Sequence, residues 1–465
     1  MNYSEALSLL SAHGQSHVLA FWDRLNETDR ASLLAQVEAL DFDAIATMQA
    51  LLKNPPKAAA AGAMSPAPVA EMTAVEKAEA AKVGEAALRA GKVGVILVAG
   101  GQGSRLGYDG PKGCYPVGPV SDAPLFHFHA RKVLALERTY GTEVPFYVMT
   151  SPMNNGPTKA FFEEHGYFGL EPSRVFFFSQ SMWPALSPEG KIILDTPSHI
   201  FLGPDGHGGM LSALERTGCL ADMEKRGLEC VFYFQVDNPM VEVCDPAFLG
   251  EHLRKGSDYS VKVCAKRDWK EGLGMVVERG GRTEIVEYSD PVFSDELKQE
   301  VGADGRLRFL FGSVAIHVFS VAFLRRETDA GLPLHIAHKK VPYCDAAGAT
   351  VKPETPNAYK FEKFIFDALT DAKAVANVAF DRAEEFSPVK NKEGSDSPLT
   401  CRRDLADKWG RWLEAAGLSV PRDAEGHVAI KLEIDPCYAL DAEQFKARLA
   451  ASGATPDTSQ DLLFS

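Results

Sequence analysis

No stretch of this sequence is apolar over the roughly 20 residues that a membrane helix needs. None of its eight cysteines (Cys114, Cys219, Cys230, Cys244, Cys264, Cys344, Cys401, Cys437) sits in a CxxC pair. The first absence argues against a helical membrane span, the second against a zinc ribbon or a thioredoxin-type centre. Positive charge is also scarce. The 49 Lys and Arg are outnumbered by 63 Asp and Glu, for a formal net charge of −14. That balance argues against nucleic acid or an anionic membrane as the main partner. It leaves room for a nucleotide, because a pocket can be basic inside an acidic protein. The N-terminus has no basic segment followed by an apolar run, so no secretory signal is read. Scattered thiols suit a reducing compartment, and the expected location is cytoplasmic. Two common nucleotide patterns are missing as well. No glycine precedes a Lys-Ser/Thr pair as in a P-loop, and the dinucleotide pattern GxGxxG fails at Leu106, where glycine or alanine belongs.

What is present is an ordinary globular composition, 45% hydrophobic and 24% charged over 465 residues. That length predicts two or three domains with a sizeable core. Residues 1–52 read as helical: Leu19, Phe21, Trp22 and Leu25 recur at helical spacing, as do Leu33, Leu34, Val37 and Leu40. Asn26-Glu27-Thr28-Asp29 offers capping chemistry for a second helix. Residues 54–70 read as a linker or exposed strap, and 73–90 as a helix.

The texture changes at Val93. Val93 to Ala99 is a continuous apolar run, as expected of a strand buried on both faces. Comparable strands are predicted at 144–149, 175–178 and 230–236, with helices at 124–140, 157–165 and 209–227 between them. Such alternation predicts an α/β layered domain with a mixed, mainly parallel sheet. Further strands are expected at 259–265, 274–277 and 283–286, and a small module after about residue 400.

The first buried strand runs straight into Gly100-Gly101-Gln102-Gly103-Ser104-Arg105-Leu106-Gly107. Glycines here permit positive φ and a close backbone approach to a ligand, and consecutive N–H groups can form an anion-binding nest. The glycines alone fit an ordinary tight turn equally well. Arg105, and Lys112 in Pro111-Lys112-Gly113, favour a triphosphate whose leaving pyrophosphate gathers charge. Asp237 ends the strand 230–236, a good place to hold a metal over phosphates, though Asp-Asn-Pro is also turn chemistry.

These residues resemble a known signature. Leu97 to Gly107 followed by Pro111-Lys112-Gly113 is similar to the eukaryotic-type UDP-sugar pyrophosphorylases, and within them most resembles the UDP-N-acetylglucosamine enzymes. Ordered blocks along nearly the whole chain carry the likeness: 19–23, 38–42, 204–209, 236–238, 286–289, 335–343, 360–367 and 385–391. The resemblance implies a Rossmann-like nucleotidyltransferase domain, 91–385, between a helical N-terminal segment with its linker, 1–90, and a small C-terminal domain, 386–465. It implies that UTP and a sugar 1-phosphate give a UDP-sugar and pyrophosphate, with Mg2+ required. The sugar phosphate would attack the UTP α-phosphorus in line, without a general base, so that positioning and charge do the work.

Residue by residue, the resemblance implies catalytic roles for Arg105, Lys112 and Lys390. The last lies in Ser387-Pro388-Val389-Lys390-Asn391, otherwise readable as a solvated loop. Gly100, Gly101, Gly103, Ser104, Gln180, Gly206, His207 and Asp237 would bind nucleotide, Gln180 through the uracil, with Asp237 also at the metal. Gly274, Glu287, Ser313, Phe364 and Phe366 would bind sugar. The two phenylalanines are equally readable as core, whether they alternate around Ile365 or share a helix with Phe361. Two positions depart from the N-acetylglucosamine pattern, which has asparagine at both: His207 is more like the UDP-glucose enzymes, and Ser313 lacks an amide. They keep open a UDP-glucose or broad-specificity enzyme, and beyond that a sugar-nucleotide-binding protein without catalysis. The implied partners are small-molecule substrates. The sequence sets no oligomeric state.

Overall fold

The computed structural model describes residues 1–55 and 64–465. Part of the expected linker over 54–70 therefore lies outside the described residues. By its contacts the chain forms two compact units, each discontinuous in sequence. One comprises Met1–Ala61, Gln180–Met210 and Gly331–Ile365; the other comprises Gly62–Ser179, Leu211–Ala330 and Phe366–Ser465.

The larger unit is built on a ten-stranded sheet. We number its strands β1 (Ser65–Pro66), β2 (Val93–Val98), β3 (Phe146–Thr150), β4 (Val175–Ser179), β5 (Cys230–Gln235), β6 (Tyr259–Ala265), β7 (Gly274–Arg279), β8 (Arg282–Val286), β9 (Phe311–Ser320) and β10 (Val375–Ala379). The path is β1-β7-β9-β5-β2-β3-β4; β8 also pairs with β7, and β6 pairs with β9 and β10. The strands β5-β2-β3-β4 run parallel, with Val95 in register with Phe232 on one side and Phe146 on the other. A parallel strand needs cover on both faces, which is why these runs are apolar without alternation. Helix Leu125–Tyr140 supplies part of that cover. Its Phe126, Phe128 and Val133 pack into one core with Val95, Leu97, Phe146, Val148, Phe232 and Phe234. The same core takes in Cys401, Leu405, Trp409 and Leu413 from helix Pro398–Ala415, and Leu432, Ile434 and Phe445 beyond it.

The antiparallel side of the sheet is irregular. Along β6, Val261 faces His317 and Val263 faces Ser313, so β9 carries a bulge between them. Ala315 in that bulge has φ +59. Helix Ala74–Arg89, capped by Thr73, matches the expected span 73–90. It lies against helix Pro246–Arg254 so closely that a Cβ on Gly84 would strike the Pro246 carbonyl, and one on Gly250 the Ala80 carbonyl. The helix expected over 209–227 is two, Met210–Arg216 and Cys219–Lys225, because Gly218 turns the chain at φ +76.

The smaller unit carries helices Tyr3–Ala12, Glu27–Glu38 and Phe42–Lys53. Asn26 caps the second as expected, its Oδ1 accepting from the Asp29 N–H at 2.9 Å. The helical spacing of Leu19, Phe21, Trp22 and Leu25 misleads: that stretch makes two 3-10 turns, Ser16–Leu19 and Trp22–Arg24. Buried Gln15 explains the break. Its Nε2 donates to Gly190 O (2.9 Å) and its Oε1 accepts from Ile192 N (2.9 Å), ties that an unbroken helix could not make. Leu10, Val18, Leu33, Val37, Ile45 and Met48 then close a core with Leu186, Ile192, Ile200 and Phe361. Among the described residues no helix is long and apolar enough to cross a membrane. All eight cysteines are free thiols.

Candidate active site

β2 delivers the chain to the glycine turn. After Ala99 the backbone runs through Gly100 and Gly101, folds into a 3-10 turn at Ser104–Leu106, and reverses at Gly107, where φ is +72. The turn closes on itself: Gly103 N donates to Gly110 O (2.9 Å), Tyr108 N to Gly103 O (3.1 Å) and Lys112 N to Gly101 O (3.1 Å). Gly103 itself sits at φ −80, so it is needed for room, not for conformation. A Cβ there would press on Tyr108. At Gly101 a Cβ would meet nothing within 4 Å; this glycine leaves open space beside the turn. Ser104 and Arg105 open the 3-10 turn, so their N–H groups have no carbonyl of the turn to donate to.

One residue that the sequence did not single out anchors this loop. Asn154 is fully buried and donates from Nδ2 to Ala99 O (2.9 Å) and Gly101 O (3.3 Å), while its Oδ1 accepts from Ser151 N (2.7 Å). The available signal was Ser151-Pro152-Met153-Asn154, polar turn chemistry directly after a buried strand.

Three expected residues converge at the carboxyl ends of the parallel strands. Lys112 Nζ stands 3.5 Å from Asp237 Oδ2, with the two side chains 17% and 12% exposed. Asp237 O accepts from Val389 N at 2.8 Å, which brings Lys390 to the same turn. Asn238 fastens the join: its Nδ2 donates to Glu385 O (2.7 Å) and its Oδ1 accepts from Ser387 N (3.1 Å). Ser387 Oγ in turn donates to Asp404 (2.7 Å). Lys390 Nζ lies 5.8 Å from the Phe386 ring centre. Arg105 is exposed on the turn and has no ion-pair partner among the described residues. The arrangement offers two N–H groups without an acceptor in the turn, an exposed guanidinium and a lysine held beside a carboxylate, a cationic and donor-rich set of the kind a polyphosphate needs.

Gly274, Glu287 and Ser313 also come together in this unit. Gly274 and Ser313 are register partners between β7 and β9, and Glu287 Oε1 lies 3.7 Å from where a Gly274 Cβ would stand. Ser313 Oγ accepts from Ala315 N at 3.3 Å, so this hydroxyl serves the β9 bulge. Phe366 is half-buried in the 3-10 segment Ile365–Asp371.

The smaller unit holds Gln180, Gly206, His207 and Phe364. Gln180 is buried. Gly206 has φ +82, and a Cβ on it would strike the Lys363 carbonyl, so protein backbone as well as any ligand demands this glycine. His207 Nδ1 accepts from Ile365 N at 3.1 Å, which leaves the proton on Nε2. Burial, then the neighbouring His335, push its pKa down to about 4. The Phe364 ring stacks on His207 with centres 5.4 Å apart and lies 4.5 Å from the His335 ring. Phe364 and Phe366 alternate around buried Ile365, while Phe361 goes to the core.

A cluster of carboxylates, Glu242, Asp245 and Glu385, has the spacing of a cation site. Its cation is already there: Lys262 Nζ lies 2.7 Å from Asp245 and 2.6 Å from Glu385. Asp237, with its Lys112 contact on one oxygen, is the better metal candidate, because Mg2+ is typically held by one or two carboxylates together with substrate phosphates and water.

The family described as UTP–glucose-1-phosphate uridylyltransferase matches residues 45–410. The chain belongs to that family. A UDP-N-acetylhexosamine pyrophosphorylase-like protein from Mus musculus is 39% identical over 88% of this chain and 85% of its own length. The UDP-N-acetylglucosamine pyrophosphorylase of Saccharomyces cerevisiae is 33% identical over 90% and 93%. Among solved structures, the uridine diphosphate N-acetylglucosamine pyrophosphorylase from Trypanosoma brucei, in complex with an inhibitor, superposes with a TM-score of 0.82 at 26% identity, covering 99% of this chain and 98% of that one.

Proposed function

We infer that the chain transfers the uridylyl group of UTP to a sugar 1-phosphate, with N-acetylglucosamine 1-phosphate as the preferred acceptor. A phosphate oxygen of the sugar phosphate forms the new bond to the UTP α-phosphorus; the bond from that phosphorus to the bridging oxygen breaks, and pyrophosphate leaves with the electron pair. The observation that carries the reading is the Lys112–Asp237 contact beside the glycine turn, 3.5 Å apart. The names of the hexosamine and N-acetylglucosamine relatives support the acceptor.

In this reading the turn and Arg105 hold the β- and γ-phosphates, Lys112 meets charge at the α-phosphate, and Lys390 approaches from the C-terminal segment. Gln180, Gly206 and His207 serve the uridine; Gly274, Glu287, Phe364 and Phe366 serve the sugar. Asp237 would hold Mg2+, which when bound neutralises phosphate charge. The cytoplasm is the compartment this reading proposes, supported by eight free thiols, which persist there.

Pyrophosphate release from UTP is the test, with N-acetylglucosamine 1-phosphate, glucose 1-phosphate and galactose 1-phosphate as acceptors. Arg105→Ala and Lys112→Ala should each lower kcat by about 10²–10³-fold, the usual loss for one well-placed donor. Near-normal turnover in both variants overturns the assignment, and no release with any sugar leaves a binding protein. A UDP-glucose or broad-specificity enzyme is the second reading. Ser313 favours it, because its hydroxyl is engaged by Ala315 N where an asparagine amide would reach further.

A further inference from the structure

The segment after Lys390 is a closed turn. The N–H groups of Lys390 (2.7 Å) and Asn391 (3.0 Å) both donate to Asp396 O, and Asn391 Nδ2 donates to Ser395 O (2.9 Å). Arg267, two residues past the end of β6, clamps the turn, its Nη2 donating to Asp396 Oδ1 at 3.3 Å. Asp396 itself is held at φ +53, a conformation that pins the turn. At its tip stands a second lysine, Lys392, for which neither the sequence pattern nor the family motif assigns a role. Its stem runs along the glycine turn: Cδ and Cε lie 3.9 Å, and Nζ 4.0 Å, from where a Cβ on Gly107 would stand. Lys392 is exposed and has no ion-pair partner among the described residues. Glycine is required at 107 by its φ of +72, and the lysine stem lies within van der Waals reach of that position.

We propose that Lys392 is a phosphate-contacting residue which reaches over the Gly107 end of the turn to the terminal phosphates of the nucleoside triphosphate, and so to the departing pyrophosphate. This rests on the uridylyltransferase reading above. The clamped turn gives its two lysines separate tasks. Lys390 follows Val389, whose N–H is bonded to Asp237 O, and so belongs to the Asp237 turn. Lys392, two residues on, lies against Gly107 at the end of the glycine turn. An ammonium with no ion-pair partner among the described residues, lying against Gly107, adds attraction for a polyanion without first having to break an ion pair.

The test compares UTP with UMP. Binding of each to the wild type, Lys392→Gln and Lys392→Arg is measured by calorimetry, and pyrophosphorolysis of the UDP-sugar is followed with varied pyrophosphate. A charged hydrogen bond to phosphate is worth about tenfold or more. Lys392→Gln should therefore weaken UTP binding and raise the KM for pyrophosphate by about tenfold, leave UMP binding and the KM for the UDP-sugar unchanged, and lose part of the salt dependence. Lys392→Arg should recover most of the loss. Equal UTP binding and equal pyrophosphate KM in Lys392→Gln overturn the proposal while the function stands. Parallel losses for UTP and UMP also overturn it, since they indicate a merely structural lysine. Wild-type protein that binds no UTP removes the functional reading and this inference with it.

Discussion

His207 shows how a single hydrogen bond fixes the chemistry of a side chain. Because Nδ1 accepts from Ile365 N, Nε2 carries the proton and the ring is a neutral donor. Burial and His335 hold its pKa near 4, below the ordinary 6.5. A base whose folded pKa is depressed stabilises the fold fully above its unfolded pKa, and that contribution is lost as pH falls from 6.5 toward 4. At neutral pH nothing titrates here. We expect the His207 imidazole resonances to stay flat between about pH 5.5 and pH 8, and His207→Asn to leave the acid limb of kcat/KM unshifted. A midpoint near 6.5 would mean that the ring is not held as described. Lys112 is constrained differently: its charge is kept in place by Asp237, whereas Arg105 has no carboxylate holding it, so the two cations should fail in different ways. Lys112→Ala also releases Asp237, while Arg105→Ala removes only a donor.

At the scale of elements, close approach is the recurring device. Helix Ala74–Arg89 and helix Pro246–Arg254 touch backbone to backbone because Gly84 and Gly250 have no side chains. Gly250→Ala would drive a methyl into the Ala80 carbonyl and force the helices apart, at a cost of about 3 kcal/mol by the scale of overpacked cores. Chemical denaturation should read this as a lower midpoint with an unchanged m-value; a midpoint equal to wild type would show that the crossing is looser than it stands here. The approach matters beyond stability, since helix Pro246–Arg254 begins at Asp245, one of the carboxylates on Lys262. The glycine turn relies on the same economy, with Gly103 making room for Tyr108 and Asn154 buried beneath to fix its carbonyls.

Over the whole molecule, Lys262 ties together segments far apart in sequence: β6, the Asp245 turn and the Glu385 turn that leads to Lys390. It is 1% exposed. Lys262→Met would leave the buried Glu385 and the half-buried Asp245 without their cation, and breaking a buried ion pair typically costs about 3–5 kcal/mol. A clear fall in melting temperature is the expected outcome, and an unchanged one would show the cluster to be hydrated rather than buried. The parallel strands were legible in the sequence, because burial on both faces writes itself as unbroken apolar runs such as Val93–Val98, whereas β9 and β10 were not among the strands expected. The glycine turn was legible as a candidate site too, since Arg105 and Lys112 lie within the same short stretch. Asn154, Asn238 and Lys392 were not: each acts through contacts with residues distant in sequence, and a polar residue in a loop carries no periodicity to mark it. The helical spacing of Leu19 to Leu25 even pointed the wrong way, because the partners of Gln15 lie some 175 residues downstream. Local patterns of burial, turn chemistry and charge thus determined the buried parallel strands and marked the glycine turn. Which carboxylate meets Lys112, which lysine lies on Gly107 and which carbonyls demand a glycine were decided only by tertiary structure, because those are distances between residues that the chain itself keeps far apart.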